Sequence, residues 1–372
     1  MMLRRFLSAF LAAAIAAPGA LAAQSIFDIG ARLAPQYHSY TIDGTTNTKV
    51  SEFSLPIYVL VPISSMLNVD VGSAYAQSQV SLTTNGTKST STISGLTDTQ
   101  IRANLSLGTD FIVVTGGVNL PTGQSTVPVG KQLAADLIGS DFLAFPIATM
   151  GSGFGGTGGI AMAQQIGGDW NLGLGLSVRK SAQYSPFDNA GGPVLQYQPG
   201  NEYRGRIGLD HAVGTGRFVI GAIYSKFDDD NLAGSIYNTG NRLISTLGFN
   251  NTYGPGQVTI AGWDLFRASG ELPDTVKTGA ENIGDGSIAY AIQMGGGAVF
   301  EPNVEGRFWT QQGLSVSGLA TFGVRMQFNL GGLLVMPGVG YSVGQIASQD
   351  VNGFNITNTL TGLHGMLAIR LR

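Results

Sequence analysis

The chain has 372 residues, of which 43% are apolar and only 12% charged, with 55 Gly and no Cys. Its formal net charge of −3 is too small to imply nucleic acid as a partner, and its charged fraction is about half that of an ordinary soluble domain. No segment after residue 22 approaches the roughly 20 unbroken apolar residues of a transmembrane helix, so its apolar residues are spread over alternate positions, as in a membrane barrel.

The N-terminus reads as a leader. Arg4 and Arg5 precede a short apolar core at 6–17, Pro18-Gly19 breaks it, and Ala20-Leu21-Ala22 is an A-x-A cleavage site. The core is too short to anchor the chain in a bilayer. Residues 1–22 are therefore expected to be a signal peptide, with residues 23–372 forming a single unit. The absence of Cys suits passage through an oxidising periplasm.

In chain order, the first alternating segment covers 27–40, with Phe27, Ile29, Ala31 and Leu33 on the outer face. After a polar loop at 43–49, Phe53, Leu55, Ile57, Val59 and Val61 share the outer face of the next segment. A short turn at Ser64-Ser65 leads to 67–80, with Leu67, Val69, Val71 and Tyr75 outward. Residues 83–94, rich in Ser and Thr, read as a loop. Then comes the clearest hairpin: Ile101, Ala103, Leu105 and Leu107 oppose Gln100, Arg102, Asn104 and Ser106, a reversal falls at Thr109-Asp110, and the second arm is 111–120.

Residues 121–150 interrupt this pattern. Within them 131–145 has helical spacing, and Leu133, Leu137 and Ile138 fall on one stripe. Strands resume at 158–166, 170–181, 203–213, 217–226, 241–252 and 257–268, with Gly-rich reversals at 167–169, 214–216 and 254–256. Residues 296–308 and 331–343 repeat Gly-Gly-x-x-x-x-Pro-x-Val, so each Gly pair reads as a turn, with Pro302 and Pro337 inside the following strand at a weak pairing or bulge. Segments at 314–328 and 357–371 complete the chain. The expected fold is all-β: a transmembrane, antiparallel up-and-down barrel of about sixteen strands, or fourteen if 288–308 is one long strand and one other segment is not a separate strand, with a short helix in a long loop. A soluble β-sandwich also alternates, but its core is apolar where these inner faces are polar.

No nucleophile–base arrangement is readable around His38, His211 or His364, and metal-ligand spacing is absent. No enzymatic activity and no cofactor are expected. Gly151–Gly156 matches G-x-G-x-x-G as a string but lacks the flanking context of a dinucleotide site. Asp228-Asp229-Asp230 reads as a solvated loop tip, with loop-bound Ca²⁺ as the alternative. The inner face is expected to carry Arg32, Arg102, Arg179, Arg204, Arg206, Arg307, Arg325 and Arg370 against Asp28, Glu52, Asp70, Asp210, Glu301 and Glu305. Most should pair across strands, leaving a pore wall with a slight excess of positive charge. Trp170, Trp263, Trp309, Tyr203 and Tyr224 are candidates for the interfacial aromatic girdles.

The stretch GLTDTQIRANLSLG at 95–108 followed by GVNLPTG at 117–123 resembles the pattern of outer-membrane barrels grouped with the MetA pathway of phenol degradation, and the chain looks more distantly like FadL-type hydrophobic-solute channels. It departs from the latter in having no Asn-Pro-Ala near its start. The resemblance implies a transporter of hydrophobic or aromatic compounds.

Together these readings lead to a channel for passive uptake of small, hydrophobic or aromatic solutes in the outer membrane of a diderm bacterium. The alternative is a non-transport structural or adhesin-type barrel; a barrel-borne hydrolase is a third reading. The expected partners are outer-membrane lipid, the small-molecule solute and the barrel assembly machinery, with a monomeric or trimeric state. The lumen-lining candidates are Arg32, Asp70, Arg102, Arg179, Arg204, Arg206, Asp210, Glu305, Arg307 and Arg325. Lys131, Leu133, Leu137, Ile138 and Phe142 are the candidates of a loop folded inward to constrict the lumen.

Overall fold

Period-2 alternation becomes a ladder of long strands in the computed structural model, which describes residues 33–108, 111–188, 192, 194–273, 276–331, 333–349 and 353–371. The leader, Asp28 and Arg32, and the reversal at Thr109-Asp110 lie outside the described residues. The strands are β1 (Gln36–Asp43), β2 (Asn47–Pro62), β3 (Leu67–Thr84), β4 (Thr87–Leu96), β5 (Thr99–Leu107) and β6 (Ile112–Leu120). After the helix α1 (Gln132–Ile138) come β7 (Gly155–Gly167), β8 (Trp170–Ser181), β9 (Tyr197–Gln198), β10 (Glu202–Val213), β11 (Gly216–Phe227), β12 (Asp230–Leu232) and β13 (Ser235–Tyr237). The remainder are β14 (Arg242–Tyr253), β15 (Gly256–Arg267), β16 (Gly270–Leu272), β17 (Val276–Thr278), β18 (Glu281–Gln293), β19 (Val299–Gln311), β20 (Ser317–Leu330), β21 (Leu333–Gln349) and β22 (Asn355–Leu371).

Each long strand pairs antiparallel with its neighbour in sequence, and β22 pairs with β1, with His38 opposite His364. The sheet therefore closes on itself and has no free edge. β4 and β5 pair with successive parts of β3 and share one position, so the barrel has 16 strands. The break between them falls at Thr97-Asp98, where Thr97 accepts and donates hydrogen bonds to the Ala74 backbone through its side-chain Oγ1 and its own N–H. The small pairs β9–β12–β13 and β16–β17 lie in the connections. Among the described residues no helix is long and apolar enough to cross a membrane.

The outer surface follows from alternation. Phe53, Ile57, Val59, Leu105, Leu176, Ile207, Leu247, Phe322 and Leu363 are exposed along the strands, while many alternate positions, among them Glu52, Asn104, Arg206, Thr246 and Thr321, are polar. Exposed apolar residues on this scale are unfavourable in water and favourable against lipid.

The structure differs from the sequence reading in several places. Residues 83–94 are not a loop: Asn85 (φ 50°) and Gly86 (φ 79°) form a two-residue reversal, and Ser and Thr on both arms extend the ladder. The helix is shorter than 131–145, because the chain leaves it at Gly139. The strand read as 314–328 begins at Ser317, after a turn at 312–314. Pro302 and Pro337 both lie inside strands, in β19 and β21, as the repeated Gly-Gly pattern required.

Candidate functional site

The two ends of the barrel differ. Connections at 63–66, 168–169, 214–215, 254–255 and 294–298 are short, whereas those at 121–154, 182–201, 228–241 and 268–280 are long. On the inner wall, ion pairs join neighbouring strands and, at Arg204–Glu202 and Arg307–Glu305, residues two apart on one strand. Arg102 Nε donates to Asp70 at 2.7 Å, and Asn104 Nδ2 donates to the same carboxylate at 3.1 Å. Arg217 pairs with Asp210, and Arg325 with Glu301 at 2.7 Å. Arg307 donates to Asp285 at 2.9 Å and to Glu305 at 2.6 Å. Arg204 pairs with Glu202 at 2.5 Å.

Segment 121–154 leaves the top of β6, crosses the lumen and returns at β7. The face of α1 carrying Ala134 and Ile138 packs against the wall, both residues being buried, with Leu137 half-buried beside them. Leu133 is 43% exposed and is not part of the buried stripe. It lies about 140° around a helix of 3.6 residues per turn from Ile138, and seven residues are too few for the stripe to wrap. Lys131 precedes the helix without a side-chain cap.

Beyond the helix, Phe142, Leu143 and Phe145 are buried inside the barrel. Phe142 stacks on Trp309 with ring centroids 5.9 Å apart, and Phe145 meets Tyr40 edge-on at 5.5 Å. Polar bonds fix the crossing. Arg307 Nη1 donates to the Phe142 carbonyl at 2.8 Å, Asp141 accepts from Arg267 at 2.8 Å, and Ile147 N–H donates to Glu52 at 2.9 Å. Asp98 ties down both ends of the segment, accepting from Gly123 N–H at 3.1 Å and Ser152 N–H at 2.6 Å.

Below the crossing, Ala144 and Pro146 roof a cavity of about 70 Å³ whose wall includes Tyr40, Trp263, Asn303 and Arg307. Asn303 Nδ2 is buried there with no hydrogen-bond partner. The His pair lines the same cavity: His364 Nδ1 and His38 Nδ1 are 3.0 Å apart, and Ser342 Oγ sits 2.6 Å from His364 Nε2. Among the described residues, no carboxylate hydrogen-bonds either ring and no group of three or more His, Asp or Glu is placed to hold a metal. Asp228, Asp229 and Asp230 diverge: their side chains accept from Asn201 and Tyr203, from Asn238, and from Gly200 N–H respectively.

Of the candidates read from the sequence, Asp70, Arg102, Arg204, Asp210, Glu305, Arg307 and Arg325 sit in these pairs. Among the described residues, Arg179 donates to Ser152 Oγ at 3.4 Å and forms no ion pair, and Arg206 Nε is buried without a hydrogen-bond partner. Arg370 is exposed near the end of β22. Trp263 and Trp309 are not girdle residues: they share the inner face with Arg307 and Phe142. Trp170 stacks on His211 at 4.2 Å, and Tyr203 and Tyr224 are exposed on the outer face. The sequence reading did not single out Asp98, Asp141, Glu202, Arg217, Arg242, Arg267, Glu281 or Asp285. Alternation places Glu202 and Asp285 inward, but their importance comes from the arginines they meet: Arg204 on the same strand and Arg242 on β14 for Glu202, and Arg307 on β19 for Asp285.

Outside the membrane strands, Tyr184, Tyr197, Tyr237 and Asp230 cluster over the end of the barrel that carries the long connections. Burial pushes the Tyr184 hydroxyl up to about 12 and Tyr197 higher still, and burial also raises the Asp230 carboxyl above its ordinary range.

No family model and no curated protein matches this sequence. Solved structures do. An anion-selective porin from Comamonas acidovorans is 12% identical with a TM-score of 0.42, covering 91% of this chain and 98% of its own. A loop-deletion mutant of OmpT, an outer membrane protein of Vibrio cholerae, is 9% identical with a TM-score of 0.42 over the same shares. An outer membrane channel from Pseudomonas putida F1 is 9% identical with a TM-score of 0.37, covering 95% of this chain and 99% of its own. The barrel described above rests on the chain's own closed strand pairing, and these likenesses stand beside it.

Proposed function

We propose that the protein is an outer-membrane channel of a diderm bacterium for passive uptake of small solutes, hydrophobic or aromatic ones among them. The observation that carries this reading is segment 121–154, which crosses a polar-walled barrel and brings aromatic and charged groups together at one level. A barrel serving only as scaffold or adhesin has no need of an internal crossing held by Glu52, Arg267 and Arg307. The solute meets apolar surface at Tyr40 and Trp263 beside hydrogen-bonding groups at Asn303 and His38, a mixed lining suited to a small aromatic molecule. The charged wall is nearly balanced by its pairs, which favours anions only mildly.

Planar-bilayer conductance of the purified mature protein, with liposome uptake of phenol and of a sugar of similar mass, tests this. Discrete channels and faster entry of phenol support it. A folded barrel without conductance would favour the structural or adhesin reading, and faster entry of the sugar would remove the aromatic preference.

A further inference from the structure

The strand register lays two rows across the inner wall from β8 to β18. The upper row runs Ser177, Arg204, Ser225, Arg242, Arg267, Glu281, each residue directly opposite the next. Two residues further from the extracellular mouth, the same ladders give Arg206, Ile223, Ile244, Leu265 and Ile283. The interleaved positions Ile207, Leu243 and Phe266 are exposed on the outside, so both rows point inward. An Arg-rich row therefore sits directly above an apolar one on the inner wall.

The charges of the upper row are largely spoken for. Arg204 holds Glu202 at 2.5 Å, Arg267 holds Asp141 and Glu281 at 2.8 and 2.5 Å, and Arg242 lies over the Phe227 ring at 4.7 Å. Arg206 differs. It heads the apolar row, forms no ion pair among the described residues, and its buried Nε has no hydrogen-bond partner. An unmet buried donor is a standing cost that an incoming acceptor removes. Beside it, the apolar row is covered only in part. Ile283 packs in the core of the crossing segment, but Ile223 and Ile244 are half-buried and lie outside that core.

We propose that Arg206, Ile223 and Ile244 form a subsite for small amphipathic organic anions. The Arg206 guanidinium receives a carboxylate, and the apolar body of the solute lies along Ile223 and Ile244. Arg179, roughly 13 Å nearer the extracellular mouth by strand rise, also forms no ion pair among the described residues and is the first contact on the way in. The inference rests on the channel reading and narrows its solute class: an inorganic anion satisfies the charge alone, and a neutral aromatic satisfies the apolar row alone.

The test uses the full mature protein in planar bilayers carrying a chloride current, with benzoate, acetate and benzamide as probes on the extracellular side. Benzoate should interrupt the current saturably, at concentrations about tenfold below those of acetate or benzamide. Arg206→Gln should raise the half-blocking benzoate concentration by about tenfold, the loss of one charge-assisted bond, with Arg206→Lys in between. Ile223→Ser with Ile244→Ser should weaken benzoate and leave acetate unchanged. Equal block by benzoate and acetate, or no change in Arg206→Gln, overturns the subsite while the channel stands. If the wild type does not conduct, the channel reading fails, and benzoate titration of tryptophan fluorescence in detergent decides the subsite alone: a saturable change lost in Arg206→Gln upholds it, and no change rejects it. Heat-modifiable migration in gels checks that each variant folds.

Discussion

The carboxylate of Glu52 in β2 accepts a hydrogen bond from the backbone N–H of Ile147 at 2.9 Å, across a sequence separation of 95 residues. Its other oxygen accepts from Ser78 Oγ on β3 at 3.1 Å. One buried acid thus ties the barrel wall to the segment that crosses it. In Glu52→Ala, the Ile147 N–H loses its acceptor, at a cost of about 1–3 kcal/mol, and the segment loosens. The expected result is faster tryptic cleavage at Lys131 and noisier single-channel current, with barrel melting nearly unchanged. Glu52→Gln keeps an acceptor and should behave close to wild type; equal cleavage in all three proteins would refute the link.

Arg307 holds Asp285, Glu305 and the Phe142 carbonyl at once, with its side chain and those of both acids largely buried. Arg307→Gln strands two carboxylates, and breaking such a set by removing one partner costs about 3–5 kcal/mol. Thermal unfolding in detergent should show a marked drop. The triple variant Arg307→Gln, Asp285→Asn, Glu305→Gln should recover much of it, because the uncompensated charges go with the cation.

Deleting residues 131–145 should raise single-channel conductance, because Phe142, Leu143 and Phe145 leave the lumen. Asp141 goes too, which leaves Arg267 with Glu281 as its remaining partner. The deletion should therefore also increase anion preference. Unchanged conductance in a folded deletion would mean that the segment does not limit the pore.

Small-ion selectivity should be weakly anionic and should fade as salt rises from 0.1 to 1 M, where the Debye length falls from about 10 to 3 Å. Arg179 and Arg206 form no ion pair among the described residues, so the double variant Arg179→Gln, Arg206→Gln should remove the preference. Reversal potentials in a KCl gradient measure it, and cation selectivity in the wild type would contradict the assigned wall.

Over the mouth, burial raises the Asp230 carboxyl above its ordinary value of 3.8. A raised carboxyl favours the folded cap while protonated: its contribution is full below about pH 4 and is lost as pH rises through the folded value. Protection of β12 amides against hydrogen exchange, corrected for intrinsic rate, should fall across that window. Asp230→Asn keeps an acceptor for Gly200 N–H, bonded at 2.7 Å in the wild type, and should flatten the dependence. Persistence of the dependence in that variant would assign it to another group.

Alternation was enough to show most of the long strands and which side of each meets lipid, because a barrel strand has the same two environments along its whole length. It missed β4, where Ser and Thr fill both faces, and left the count between fourteen and sixteen. Phe53, Ile57 and Val59 could be assigned outward from spacing, and Asp70 and Arg102 inward. Periodicity failed where environment changes within an element. Trp263 and Trp309 resemble girdle residues by composition, yet their parity with Leu265 and Arg307 turns them inward, where Phe142 meets Trp309 and Arg307 meets Trp263. Leu133 looked like part of a buried stripe, but only the position of the wall decides which side of a two-turn helix is covered. The pairs that organise the lumen are the clearest case. Arg307 and Phe142 are 165 residues apart, and no local pattern marks one as the partner of the other. Closing the sheet and folding segment 121–154 into it brings them within reach. Local preference sets the face a side chain takes; only the closed barrel sets what stands opposite it.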